Sequence, residues 1–315
     1  MKAVIFKEFG SVDKLHVAEI ELPKPGDNEV QVEPVAVSVN PIDGKIRRGE
    51  LKMMSGSRFP KRTGQDFSGV IRAVGKNVQN FKVGDEVFGC ARGMKDGSLG
   101  EAVNAPAKFV SLRPKSITHA ASASVPMVTI AAYQALHRVA KIKPGSSILI
   151  NGCSGGFGLA ALQLARKAGA RVTGVCGTDA VDLAKKYGAD RVIDYRKEDV
   201  TKLNERYDVI LDLSGKLPFE KAKAILKPRG TFINVSATPA AIFSSLLGNP
   251  FRGKKHKILL SKARSEDLKA IASFIDDGSL LPPPVQVFPF EKFGEAYRIS
   301  ESGNVIGKIV LQIRD

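Results

Sequence analysis

The run Ser147-Ile-Leu-Ile-Asn-Gly-Cys-Ser-Gly-Gly-Phe-Gly158 constrains this chain more than any other. An apolar stretch of strand character passes into a glycine cluster. The cluster opens the helical run Leu159-Ala-Ala-Leu-Gln-Leu-Ala-Arg-Lys-Ala-Gly-Ala170. Gly169 closes that helix, and a second β-rich run, Arg171-Val-Thr-Gly-Val-Cys176, follows. Strand, turn, helix and strand in this order predict a βαβ unit with a phosphate-binding turn at its first joint. Gly152, Gly155, Gly156 and Gly158 permit positive φ and let a pyrophosphate approach bare backbone. With Ser154 and Phe157 they make up the expected cofactor turn, whose helix-opening N–H groups would hold the anion. The plainer alternative for the same glycines is a tight strand-to-helix turn with no ligand.

The alternation continues on the C-terminal side. Ile130 to Val139 reads as helix, Pro144-Gly145 as a turn, and Leu183 to Tyr187 as a helix closed by Gly188. Val192–Asp194, Tyr207–Asp212, Thr231–Ser236 and Lys257–Leu260 read as strands, with a helix Phe219–Leu226 stopped by Pro228 and Gly230. Such alternation implies an α/β fold with a doubly wound parallel sheet. The first 120 or so residues differ: Glu29–Glu33, Gly69–Val74 and Asp85–Gly89 are short strands between Pro and Gly punctuation. The tail offers a helix from Ser265, its expected cap, to Asp277. Strands near Val285–Phe288 and Lys308–Ile313 follow, with no βαβ context, and are expected to rejoin the N-terminal part.

Charge and cysteine usage narrow the functional classes. The net charge is +16, and residues 124–262 carry 23 basic against 10 acidic side chains. A polyanionic cofactor, an anionic membrane surface in peripheral contact, or nucleic acid would suit that excess. Its lysines are scattered over helical faces, however, and the densest cluster, Arg252-Gly-Lys-Lys-His-Lys257, has no interleaved aromatics and no nucleic-acid motif. Three cysteines, Cys90, Cys153 and Cys176, lie far apart with no CxxC, as expected of free thiols in a reducing, cytoplasmic setting. No apolar run reaches the roughly 20 residues needed to cross a bilayer.

Further motifs sharpen the reading: Val39-Asn-Pro-Ile-Asp43, Gly64-Gln-Asp-Phe-Ser-Gly-Val-Ile-Arg-Ala-Val-Gly75, Phe81-Lys-Val-Gly-Asp-Glu-Val87 and Ser302-Gly-Asn-Val-Ile-Gly-Lys-Ile-Val310. Together with the glycine turn, and over nearly the whole chain, they resemble the zinc-free quinone oxidoreductase-like branch of the medium-chain dehydrogenase/reductase superfamily. The resemblance implies a GroES-like β-rich catalytic domain at 1–123, a Rossmann domain at 124–262, and a segment 263–315 returning to the first. It further implies an active cleft between the domains and a homodimer. Zinc enzymes of the superfamily carry Cys in the first motif and Gly-His-Glu in the second. Here Asn40 stands at the cysteine position and Gln65-Asp66 replace His-Glu. Amides are poor zinc ligands, so no metal is expected.

The cofactor is read from the end of the second strand. NAD-binding folds of this type place an acid there for the ribose 2′-hydroxyl. This chain has Gly177 and Thr178, with no acid before Asp179. An uncharged end favours NADPH over NADH, because a carboxylate would repel the 2′-phosphate. Tyr195 matches a tyrosine that lines the 2′-phosphate site in similar enzymes. Val181 replaces the usual basic residue, leaving Lys185 or Arg196 as substitutes; Asp179 binding ribose would instead make this an NAD enzyme.

Without a Lewis acid, a simple ketone is poorly activated. A quinone or α,β-unsaturated carbonyl spreads the incoming charge into an oxyanion that hydrogen-bond donors can stabilise. The expected activity is therefore a zinc-independent, NADPH-dependent reduction of quinones or enones. Asn40 is the first candidate donor or orienter, followed by Asp43 and by Lys45, which would bind the oxyanion or the nicotinamide ribose. A turn stabilised by Asx hydrogen bonds around Pro41 is the structural alternative for Asn40 and Asp43. Gln65 and Asp66 read as structural. An enoyl-thioester reductase, or a nucleic-acid- or membrane-binding protein with a vestigial cofactor site, are the competing readings.

Overall fold

The structure, a computed structural model, describes residues 1–235 and 253–314. The chain divides into two compact units, Met1–Met127 with Ala263–Asp315, and Val128–Lys262.

The second unit is built on a six-stranded, wholly parallel sheet. Its order is Arg191–Asp194, Arg171–Cys176, Ser147–Asn151, Tyr207–Asp212, Leu226–Asn234 and Lys255–Ile258. Parallel strands covered on both faces need continuous apolar runs, and Ile148, Leu149 and Ile150 are each 0% exposed. The chain runs outward in one direction from Ser147–Asn151, then returns to its other side at Tyr207–Asp212. Such a reversal is where open α/β sheets place a ligand crevice, at the carboxyl ends of the two central strands. The helix Gly156–Lys167 packs Leu159, Leu162 and Ala165 inward, as its periodicity requires.

Several boundaries differ from expectation. The Ile130–Val139 helix is the helix Pro126–Tyr133 continued by a π-helical stretch, Gln134–Ala140. Leu226 leaves its helix and already pairs with Tyr207; residues up to Thr231 then bulge before pairing resumes at Val209. Proline and glycine there interrupt a strand rather than precede it. Ser236 and Arg252 lie outside the described residues.

The first unit contains a seven-stranded sheet in the order Val285–Pro289, Lys308–Gln312, Glu29–Val39, Asp66–Val74, Glu86–Cys90 and Val110–Leu112, with Val103–Pro106 also on Glu29–Val39. A three-stranded sheet, His16–Glu19, Lys2–Phe6 and Lys61–Arg62, accompanies it. The tail strands do rejoin the N-terminal part, but not without βαβ context. Val285–Pro289 and Lys308–Gln312 are parallel neighbours joined through the helix Phe293–Glu301, which buries Ala296 and Tyr297. Arg264, not Ser265, occupies the cap position of the helix Ser265–Asp276. Among the described residues no helix is long and apolar enough to cross a membrane.

Candidate active site

Main-chain bonds shape the glycine turn. The N–H groups of Gly152 and Cys153 both donate to Val175 O, at 3.0 Å each, which draws the turn onto the neighbouring strand. Gly152 has φ +86°, and a Cβ on Gly158 would lie 2.4 Å from Cys153 Cα, so neither position accepts a side chain without strain. Gly155 is the reverse: nothing lies within 4 Å of its Cβ direction. It caps the helix Gly156–Lys167, whose first-turn N–H groups, those of Gly156, Phe157 and Gly158 among them, have no partner four residues back. Open space beside convergent N–H groups is what a pyrophosphate requires. Ser154 and Phe157 are half-buried on the rim.

At the crevice, Asn151 Nδ2 donates to Asp212 Oδ1 and to Ser214 Oγ, 2.9 Å each, tying the two central strands together. Asp212 is 0% exposed. Farther out, Thr178 Oγ1 donates to Asp194 Oδ2 at 2.6 Å. That bond holds the Asp194 carboxyl below the usual range. Tyr195 is 58% exposed, with the Arg196 guanidinium 6.0 Å from its ring centre. The Tyr195 hydroxyl and Arg196 Cζ come together over Gly177, 3.3 and 3.5 Å from its Cβ direction. Arg196 also pairs with Asp179 at 3.1 Å.

In the first unit, Asn40 and Asp43 do not form an isolated turn. Asn40 caps a helix, Pro41–Arg47, with Pro41 in its first turn, where a missing N–H costs nothing. Asn40 N–H donates to Asp43 Oδ2 at 2.9 Å. The helix buries Asp43, Ile46 and Arg47 and turns Pro41, Lys45 and Arg48 to its less buried face. Its far end is held by Arg47, which donates from Nε to Gly10 O at 3.2 Å and pairs with Glu301 at 2.7 Å.

Asn40 and Asp43 are each 2% exposed and belong to a buried polar network. Asn40 Nδ2 donates to Asp66 Oδ2 at 3.1 Å, and its Oδ1 accepts from Lys308 Nζ at 2.6 Å. Cys90 Sγ donates to Asp66 Oδ1 at 3.2 Å, and Met127 N–H approaches both Asp66 oxygens at 3.2 and 3.3 Å. Tyr297 OH lies 2.8 Å from Thr63 Oγ1 and donates to Asp43 Oδ2 at 3.4 Å. Burial dominates the ionisation here. It pushes Asp43 up to about 7 and raises Asp66, with Lys308 opposing both; it also lowers Lys308, against the pull of Asp66 and Asp43.

Sequence reading placed Asn40, Asp43 and Lys45 together, and the structure puts them on one short helix and its cap. It missed Lys308, Tyr297 and Cys90. Only the buried lysine carried a signal: a charge at the head of the otherwise apolar run Ile309-Val-Leu311. The residues at zinc-ligand positions do not fit a metal. Both Asp66 oxygens accept protein hydrogen bonds, Gln65 Nε2 donates to Gly64 O and Asp96 O, and an ammonium holds Asn40 Oδ1.

A parallel sheet with a glycine turn opening a helix in one unit, and a buried polar network in a β-rich other unit, are together the features of a nicotinamide-dependent oxidoreductase. The alcohol dehydrogenase GroES-like domain family matches residues 26–115, and the zinc-binding dehydrogenase family matches residues 187–311. Human mitochondrial NAD(P)H oxidoreductase RTN4IP1 is 34% identical, over 91% of this chain and 82% of that protein. The chloroplastic NADPH-dependent alkenal/one oxidoreductase of Arabidopsis thaliana is 30% identical, over 99% of this chain and 79% of that protein. The quinone oxidoreductase of Coxiella burnetii superposes with a TM-score of 0.90 at 27% identity, covering 100% of this chain and 99% of that one. The chain belongs to the quinone oxidoreductase-like branch of the medium-chain dehydrogenase/reductase superfamily.

Proposed function

We propose that this protein is an NADPH-dependent, zinc-independent reductase of quinones or α,β-unsaturated carbonyls. The observation that carries the reading is the open position at Gly155, beside the helix-opening N–H groups of Gly156–Gly158. Gly152, Ser154 and Phe157 complete the seat for the pyrophosphate. Gly177, Thr178, Tyr195 and Arg196 line the seat for the 2′-phosphate. Relatives named for NAD(P)H and for NADPH-dependent alkenal/one reduction support the same cofactor and acceptor class.

When bound, the nicotinamide supplies hydride; the chain's own residues supply orientation and charge stabilisation. Lys45, on the less buried face of the Pro41–Arg47 helix, is the donor we assign to the oxyanion that develops on the acceptor. Asn40 and Asp43, buried at the head of that helix, orient it. A conjugated acceptor suits such a site, because one ammonium can stabilise an enolate or hydroquinone oxyanion without a Lewis acid. Three buried free thiols suit a reducing compartment such as the cytoplasm.

The test is an NADPH-oxidation screen across quinones, enals, enones and enoyl thioesters, repeated with NADH and with EDTA. Turnover of quinones or enones with NADPH, unchanged by EDTA, is the expected result. Turnover restricted to enoyl thioesters would replace the acceptor, and activity restored only by zinc would overturn the metal-free reading.

A further inference from the structure

The register of the first unit brings a buried cation against Asn40. Gly307 has φ +76°, and its Cβ direction ends 2.1 Å from Pro284 O, so only glycine fits where the chain enters the strand Lys308–Gln312. Ile309 pairs with Val39, which sets Lys308 beside Asn40. Lys308 is 5% exposed; its Nζ donates to Asn40 Oδ1 at 2.6 Å and to Val39 O at 2.9 Å. An ammonium only donates and a carboxylate only accepts. With Lys308 on one side and Asp66 on the other, the Asn40 amide has a single permitted orientation. That amide belongs to the residue capping the Pro41–Arg47 helix.

We infer that Lys308 is a positioning residue for the reductase. Its ammonium bonds Asn40, the residue that stands at the cysteine position of the zinc enzymes, and through Asn40 it fixes the head of the helix that carries Lys45. The inference rests on the assignment of Lys45 to the acceptor. In this arrangement the fixed positive charge comes from the far end of the chain, so the C-terminal strand completes the active unit as well as its sheet.

A double-mutant cycle between Asn40→Ala and Lys308→Gln, read as kcat on an enone or quinone acceptor, NADPH affinity and melting temperature, tests this. Each single variant should lower kcat about 10-fold or more with NADPH affinity unchanged, and the double variant should lose little more than either. Lys308→Gln/Asp66→Asn removes both charges and leaves a neutral pair able to hydrogen-bond. It should regain melting temperature without regaining kcat. Recovery of kcat together with melting temperature, additive losses in the cycle, or failure of every Lys308 variant to fold would assign Lys308 to stability alone and overturn the proposal. Lys45→Met at full turnover would remove the Lys45 assignment whatever the cycle shows.

Discussion

The two units build their sites in opposite ways. The turn we assign to the cofactor in the second unit is made of backbone: the donors it offers are main-chain N–H groups, left accessible by the side chains missing at Gly152, Gly155 and Gly158. The polar network of the first unit is made of side chains, Asn40, Asp43, Asp66, Cys90, Tyr297 and Lys308, drawn from five separate segments and sealed from water. A backbone site is damaged by adding atoms. A buried side-chain site is damaged by removing or unbalancing charge, because each group left behind loses its partner in a medium that solvates it poorly.

Gly155→Asp puts the first half of that contrast to its hardest test. Gly155 has φ −79° and ψ 167°, extended backbone that any residue adopts, and nothing lies within 4 Å of its Cβ direction. The fold should therefore accept the aspartate, while its carboxylate meets the pyrophosphate. NADPH binding should fall by more than about 100-fold, roughly 2.7 kcal/mol or more, with the melting temperature of the unliganded protein little changed. Fluorescence titration with NADPH checks this; wild-type affinity would show that the turn holds no cofactor.

The second half of the contrast is sharpened by Asp43. Its carboxyl is pushed up to about 7, chiefly by burial, from an ordinary 3.8. Between those values the folded protein keeps a proton that the unfolded chain has released. The contribution to stability is thus fully present below about pH 4 and lost as pH rises through about 7. Asp43→Asn removes the titration and keeps an acceptor for Asn40 N–H. Its melting temperature relative to wild type should climb between about pH 4 and pH 7 and level off above that, by an amount corresponding to a few kcal/mol. Asp194 and Asp208, held low by hydrogen bonds, run the other way in both proteins and cancel in the difference. A difference that stays flat with pH would mean that Asp43 is not held protonated by its burial.

This contrast also explains what could be read from the sequence. Gly152 to Gly158 are contiguous, and a backbone site writes itself into a contiguous run because each missing side chain is a local requirement. The central strands were legible for a similar reason: burial on both faces leaves apolar runs such as Ile148-Leu-Ile150. The pairing of Lys308 with Asn40 was not legible. It depends on Ile309 pairing with Val39 across most of the chain length, and no local pattern encodes that register. The helix Pro41–Arg47 was hidden by Asn-Pro, which reads equally as a turn or as a cap followed by the first helical residue. The crossover Val285–Lys308 was missed because its helix, Phe293–Glu301, shows only Ala296 and Tyr297 as fully buried residues.

Arg196 lies between the two kinds of site and should give the smallest effect. It is an exposed side chain in the backbone-built unit, stacked near Tyr195 over Gly177 and paired with Asp179. Thr178 gives its hydroxyl proton to Asp194, so it offers a 2′-phosphate no donor of its own in this arrangement. In the proposed NADPH site Arg196 is the guanidinium we assign to the role of the basic residue replaced by Val181, and a phosphate would have to displace Asp179 to reach it. Exposed pairs exchange at little cost, so the net gain from the phosphate contact is modest. Arg196→Ala should weaken NADPH binding about 10-fold, near 1.4 kcal/mol, while leaving NADH binding within about twofold. Asp179→Ala, which frees the same guanidinium, should shift preference further toward NADPH. Equal loss of both nucleotides in Arg196→Ala would place the arginine in general support of the strand end. No loss of either would move phosphate recognition elsewhere, with Lys185 the next side chain to replace.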